Sequence, residues 1–242
     1  MDESVFKFKK FNVLHGNGSM KIGVDAVLLG SWVGKKANKI LDVGTGCGII
    51  SLMLAQRFPE ANIFAIDIDA PSIEESQINF RNSPWSSRLK TALIKFPEEI
   101  INKKEKFDLI VSNPPYFNSG IDFPLSPREK ARHQDSLSIF SLIEKSPLLL
   151  ENEGCLSLIF PIDYLEVAIE RGKKYKLEVK RICKIRDNIS RPEKRVMLEF
   201  VFCEKILDPP SIESLILFKN GNNNREPTES YRKLCKDFYL KF

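Results

Sequence analysis

Hydrophobic and polar positions in the middle of this chain alternate between two rhythms. Short continuous apolar runs, which suit strands buried on both faces, are followed by stretches with helical spacing. From residue 39 onward this predicts a strand over 39–43, a helix over 48–58, a strand over 62–67 and a helix over 70–82. Residues 90–95 predict a third strand and Phe107 to Ser112 a fourth. A helix over 136–150, capped by Asp135 or Ser136, leads to Gly154 and a strand over 155–160, and 164–174 is again helical. The runs 177–185 and 195–203 have only a loop between them. That is too short for a parallel crossover, so they should pair antiparallel. The pattern predicts an α/β fold: a seven-stranded, mostly parallel sheet with one antiparallel strand at its end and helices on both faces.

The two ends depart from that rhythm. Phe6, Phe8 and Phe11 approach alternation and predict a strand or hairpin ending near Asn17-Gly18. Residues 24–33 then read as a short helix, with Asp25 near its start and Gly34 beyond its end. The tail adds a strand over 215–219, a polar loop over 220–227 and a helix over 230–240. With no internal repeat and no second core, residues 1–242 are expected to form one domain: an N-terminal hairpin and helix (1–34), a doubly wound core (35–205) and a C-terminal extension (206–242).

Composition narrows the classes. A hydrophobic content of 43% over 242 residues is ample for a core, and 29% charged residues is ordinary for a soluble protein. Met1-Asp2-Glu3 lacks the basic and apolar regions of a signal peptide, and charges and glycines interrupt every apolar run before it could span a bilayer. The five cysteines (47, 155, 183, 203 and 235) form no C-x-x-C pair, and there are two histidines. No metal site and no disulfide framework are expected, and reduced thiols point to the cytoplasm. Net charge is +5. Lysines 7, 9 and 10 cluster near the start and read equally well as solvated surface. Arg128, Lys130, Arg132 and His133 form a second group, and Lys180, Arg181, Lys184, Arg186, Arg191, Lys194 and Arg195 a third. The last two should lie near the ends of the parallel strands, where cations could hold phosphates.

Three motifs sit at strand ends. Asp42-Val43-Gly44-Thr45-Gly46-Cys47-Gly48 follows the first core strand and opens a helix. Glycine at alternate positions permits a tight turn and close approach of backbone to a ligand. The spacing matches neither the dinucleotide fingerprint nor a P-loop. Asp67 ends the next strand, where a carboxylate can accept from both ribose hydroxyls of a nucleoside; Asp69 fits the helix cap better. Asn113-Pro114-Pro115-Tyr116 follows the fourth strand. An Asn oxygen and a carbonyl flanked by proline can both accept from a planar NH2 group, and a Tyr ring offers a face for a flat base. In an open α/β sheet these strand ends line one crevice.

The glycine motif resembles the first motif of S-adenosylmethionine-dependent methyltransferases, and Asn113-Pro-Pro-Tyr116 resembles the turn shared by adenine-N6, guanine-N2 and glutamine methyltransferases. Phe6-Lys-Phe-Lys-Lys-Phe11, Met20-Lys-Ile-Gly-Val-Asp-Ala-Val-Leu-Leu-Gly-Ser-Trp32, Ala131-Arg132-His133 and Asp237-Phe-Tyr-Leu240 narrow this. With them the chain resembles, over nearly its whole length, the bacterial enzymes that methylate N6 of the adenine beside the anticodon of valine tRNA. The resemblance implies a Rossmann-like S-adenosylmethionine-dependent methyltransferase acting on a tRNA anticodon loop, and a monomer is expected. Asp42, Gly44, Thr45, Gly46, Gly48, Asp67, Ile68, Phe96 and Asn113 would hold the cofactor. Asn113 and the Pro114 carbonyl would grip the target amine beside Pro115, with Tyr116 stacked on the base. Arg132, His133, Arg191, Lys194 and Arg195 would contact RNA. Relatives often carry an acidic or amide residue after the third strand to read the cofactor's adenine, and Lys95-Phe96-Pro97 offers none. A glutamine methyltransferase would bring a helical domain ahead of the glycine loop, and a DNA adenine methyltransferase a target-recognition domain. A non-catalytic RNA-binding protein on the same fold is the remaining reading.

Overall fold

The computed structural model describes residues 5–16, 22–34, 36–101, 105–115, 137–204, 208–219 and 225–242. Strands β1 (Val5–Lys7) and β2 (Asn12–Leu14) form an antiparallel hairpin, followed by helix α1 (Val24–Trp32). The alternating core runs β3 (Lys39–Val43), α2 (Ile49–Arg57), β4 (Asn62–Asp67), α3 (Ala70–Arg81), β5 (Leu89–Leu93), α4 (Glu98–Ile101) and β6 (Phe107–Ser112). It continues with α5 (Ile139–Lys145), β7 (Leu150–Pro161), α6 (Leu165–Lys174), β8 (Leu177–Arg186) and β9 (Arg195–Phe202). Strand β10 (Ser211–Ile216) and helix α7 (Glu229–Cys235) complete it.

One eight-stranded sheet has the order β10-β8-β9-β7-β6-β3-β4-β5. Of its strands only β9 is antiparallel to its neighbours, β7 and β8. The expected seven strands therefore become eight, because the tail strand joins the sheet parallel to β8. The antiparallel strand lies inside the sheet and not at its end. Two apolar clusters flank the sheet. One is built on α1 and α2 with Val27, Leu28, Leu52 and Met53, and the other on α5 and α6 with Leu142, Ile143 and Ala168.

Helix boundaries follow local chemistry. Asp69 caps α3 by accepting from the Ser72 amide at 3.0 Å and the Ser72 hydroxyl at 2.7 Å. Helix α5 is half the predicted length. Its cap is Ser138, which accepts from the Ser141 amide, and Pro147 turns the chain through a 3₁₀ turn at Ser146–Leu148. The tail strand lies earlier than expected and the last helix stops at Cys235, after which Phe238 and Tyr239 fold back. There Phe8 forms a β-bridge with Tyr239, and the Phe6, Phe8, Phe11, Tyr239 and Phe242 rings pack in one chain of contacts. The aromatic motifs at the two ends of the sequence thus touch each other. No helix of the described residues is long and apolar enough to cross a membrane.

Candidate active site at the ends of β3, β4 and β6

Strand β3 lies between β4 and β6, with Asp42 opposite Ala65 on one side and Val111 on the other. Strands leave this register toward the same edge. The Gly44 and Thr45 amides donate to the Ile66 carbonyl at 2.9 and 3.0 Å, and the Ser112 hydroxyl donates to the Val43 carbonyl at 2.7 Å. Asp67 and Asn113 are thereby placed on either side of the glycine loop, two strand spacings or roughly 10 Å apart. This is the point where the chain order reverses across the sheet, the usual crevice of an open α/β fold.

Asp42 is fully buried. Its Oδ2 accepts from the Thr45 hydroxyl at 2.8 Å and the Ser51 hydroxyl at 2.7 Å, while its Oδ1 is buried with no hydrogen-bond partner. Burial pushes this carboxyl up to about 6, and the Ser51 and Thr45 hydrogen bonds pull only part of the way back. A buried oxygen without a donor is costly, and its chemistry fits a cationic partner such as an ammonium. Asp67 Oδ2 accepts from the Gly46 amide at 2.9 Å and Oδ1 from the Asp69 amide at 3.1 Å. Burial raises its pKa as well. A carboxylate oxygen has two lone pairs, so acceptor capacity remains for hydroxyls.

The loop's conformation depends on glycine. Gly48 has φ +83°, and a Cβ there would sit 2.5 Å from Phe80 Cε1. Gly48→Ala is expected to cost about 1–3 kcal/mol, from left-handed strain and the displaced ring. Urea denaturation of the two proteins at pH 7 would measure it.

Other expected residues fall into three groups. Asn113 and Pro115 are half-buried and Pro114 buried at the crevice. Ile68, at the rim beyond Asp67, is 55% exposed, whereas Phe96 packs into the core cluster with Ile66, Ile94 and Ile100. Tyr116, Arg132 and His133 lie outside the described residues. Of the third basic cluster, Arg195 turns inward: one nitrogen meets Asp25 Oδ1 at 2.6 Å and another Asp187 Oδ1 at 2.8 Å. Arg181 packs over Trp32 and pairs with Glu213, and Lys184 and Arg186 share Glu193. Arg191 and Lys194 are exposed on the β8–β9 hairpin, which opens on the same sheet edge as Asn113 because Arg195 lies opposite Pro161 at the end of β7.

Two participants were not anticipated. Ser51 is a lone hydroxyl in an otherwise apolar helix start, and Asn79 an amide on the buried face of α3. A polar residue at a core position is a signal, but its partner is visible only in three dimensions. All five cysteines are buried and none is in a disulfide, and no group of three or more metal-ligating side chains occurs among the described residues.

Residues 18–160 match the family model described as the methyltransferase small domain. A curated tRNA1(Val) (adenine(37)-N6)-methyltransferase of Phocaeicola vulgatus is 38% identical, with 99% of each chain covered. A protein of the same name from Vibrio campbellii is 36% identical over 98% of this chain and 95% of its own. Among solved structures, a predicted O-methyltransferase of Agrobacterium tumefaciens superposes with a TM-score of 0.66 at 17% identity, covering 88% of this chain and 96% of that one. A methyltransferase from Pyrococcus furiosus gives 0.57 at 22% identity, over 80% and 89%. The structural likenesses establish the fold, α/β and Rossmann-like. With a family model over more than half its length and relatives matched almost end to end at above a third identity, the chain belongs to the methyltransferase small-domain family, among its tRNA1(Val) (adenine(37)-N6)-methyltransferases.

Proposed function

We propose that this protein transfers a methyl group from S-adenosyl-L-methionine to the exocyclic N6 amine of adenine 37 in the anticodon loop of valine tRNA, working as a cytoplasmic monomer. The observation that carries the reading is the side-by-side placement of Asp67, the glycine loop and Asn113 at one sheet edge, in a chain whose relatives bear that name.

The residues present fit the cofactor. Asp42 Oδ1, buried and without a donor, would accept from the methionine ammonium. The backbone of Gly44, Thr45, Gly46 and Gly48 would follow the methionine chain, with the N-terminus of α2 favouring its carboxylate. Asp67 would take the ribose hydroxyls. Exposed Ile68 would cover the adenine, and Phe96, packed beneath the rim, would back that wall. When bound, the cofactor supplies an electrophilic methyl group on a sulfonium.

The chain's own contribution is positioning and dipole alignment. Asn113 Oδ1 and the Pro114 carbonyl accept from the two amine hydrogens. That draws the hydrogens out of the ring plane and turns the nitrogen lone pair toward the methyl group. The methylated amine is strongly acidic, so its proton leaves to solvent without a dedicated strong base. Pro115 leaves no competing N–H beside the acceptor carbonyl, and Tyr116 is assigned to stacking on the adenine. The base must leave its stack to enter, which costs least in a single-stranded loop.

Arg191 and Lys194 are assigned to RNA phosphates, with Arg132 and His133. Arg195 holds the hairpin in place through Asp25 and Asp187. Ile189, 65% exposed beside Arg191 and Lys194, adds an apolar contact at the hairpin tip. The double charge reversal Arg191→Glu/Lys194→Glu is expected to raise the KM for tRNA by about tenfold or more in low salt and to flatten its salt dependence by one to two phosphate contacts, leaving cofactor affinity unchanged. An unchanged salt slope would remove the hairpin from the RNA interface.

The decisive experiment is incubation with labelled cofactor and total RNA from a strain lacking the gene, followed by nucleoside analysis. N6-methyladenosine in the valine tRNA anticodon loop is the expected product. Label in protein glutamine, DNA adenine or N2-methylguanosine would assign a different substrate, and cofactor and RNA binding without methyl incorporation would make this a binding protein.

A further inference from the structure

Asn79 on α3 is 3% exposed and spends its whole carboxamide on backbone of two distant segments. Oδ1 accepts from the Leu14 amide at 2.8 Å, and Nδ2 donates to the Leu14 carbonyl and to the Cys47 carbonyl, each at 2.8 Å. Leu14 ends the N-terminal hairpin, and Cys47 sits inside the glycine loop. The adjoining Phe80 presses on the same loop, filling the space a Gly48 side chain would need, with Ser76 beside it. Further ties of the loop run within itself, to β4 and to α2: Gly44 and Thr45 to Ile66, Gly46 to Asp67, Gly48 to Thr45 and to Leu52. Asn79 joins the loop to the hairpin.

We infer that Asn79 is a positioning residue that couples the N-terminal hairpin to the cofactor loop, so that cofactor affinity depends on a segment outside the glycine motif. The inference rests on the reading of that loop as the cofactor site. The carboxamide suits the role because the three groups it meets are one donor and two acceptors. Aspartate has the same shape, but it would set a carboxylate against two carbonyl oxygens and leave both without a donor in a buried place. The loop would then relieve the strain by rotating the Cys47–Gly48 peptide, and the hairpin would lose its anchor in the same event.

The test uses the full chain. In wild type, saturating cofactor is expected to slow hydrogen exchange at the Leu14 amide by about fivefold or more, since tightening the loop tightens the shared clamp. In Asn79→Asp, or Asn79→Ser if the aspartate variant does not fold, cofactor Kd is expected to rise about tenfold while the KM for tRNA stays within about twofold. The cofactor effect at Leu14 should then disappear. A residue that only supports the fold would lower the melting temperature with cofactor Kd unchanged in the folded fraction. Unchanged Kd in a folded variant, or no change at Leu14 on adding cofactor to wild type, overturns the coupling. A wild-type protein that binds no cofactor would instead overturn the function proposed above.

Discussion

Asn113→Ala is expected to lower methyl transfer by about 10²–10³-fold or more, the range seen when one preorganised polar group aimed at the reacting centre is lost. The cofactor Kd should change by less than about threefold, because Asp42, the glycine loop and Asp67 are untouched. The reasoning is geometric. Methyl transfer requires the amine lone pair to point along the sulfur–carbon axis, and in adenine that lone pair is delocalised into the ring. Two acceptors on the amine hydrogens make the out-of-plane arrangement favourable before attack begins. Alanine removes one of the two, and water in its place is not oriented. Asn113→Asp keeps acceptor oxygens and should retain more activity than the alanine variant. Single-turnover kinetics with saturating cofactor separates the chemical step from binding. Wild-type rates in Asn113→Ala would end the mechanism proposed here.

Asp42→Asn should produce the opposite pairing of effects: weaker binding and a more stable ligand-free protein. The ligand-free carboxyl lies at about 6, above its unfolded value of 3.8, so the folded state favours the protonated form. The stability contributed by that proton is complete below pH 3.8 and is lost as pH rises through about 6. At pH 8 the ionised group therefore destabilises the folded protein by about 3 kcal/mol, from two pKa units at about 1.4 kcal/mol each. Asparagine cannot ionise, so its advantage over wild type should be near zero at pH 4 and grow to that size by pH 8, raising the melting temperature by about 5–10 °C. Cofactor affinity should fall about 100-fold, as for other partners removed from a buried charge pair. The same proton competes with the ammonium in wild type, so cofactor Kd should rise about tenfold for each pH unit below 6. A Kd independent of pH between 5 and 7 would take Asp42 out of the ammonium site.

Local chemistry made the central elements legible. The strands 39–43, 62–67 and 107–112 match to the residue, since each is a short apolar run ended by a polar residue or turn former. Asp69 is the helix cap, as its position suggests, while the acceptance by Asp67 from the Gly46 amide shows only in the folded chain. The sequence pattern predicts a helix twice as long as α5 because the apolar spacing continues through Ser146-Pro147, where proline ends the α-helical hydrogen bonding. The tail strand's place at the sheet edge beside β8 depends on pairing between residues some thirty apart, and periodicity carries no record of a partner. Basic residues were legible as a cluster and illegible one by one. Arg191 and Lys194 face solvent, while Arg195 is taken by Asp25, 170 positions away.

By itself the order of residues determined the alternating α/β core, the three motifs at strand ends and the chemistry they suit, because each of these is set within a few consecutive positions. Tertiary structure alone decided that Asp42 is buried with one oxygen unmatched, that Asn79 ties the first hairpin to the glycine loop, and which cations of the basic cluster are paired and which face solvent. Burial and partner choice depend on what the rest of the chain brings to the same place, and distance along a sequence does not encode distance in space.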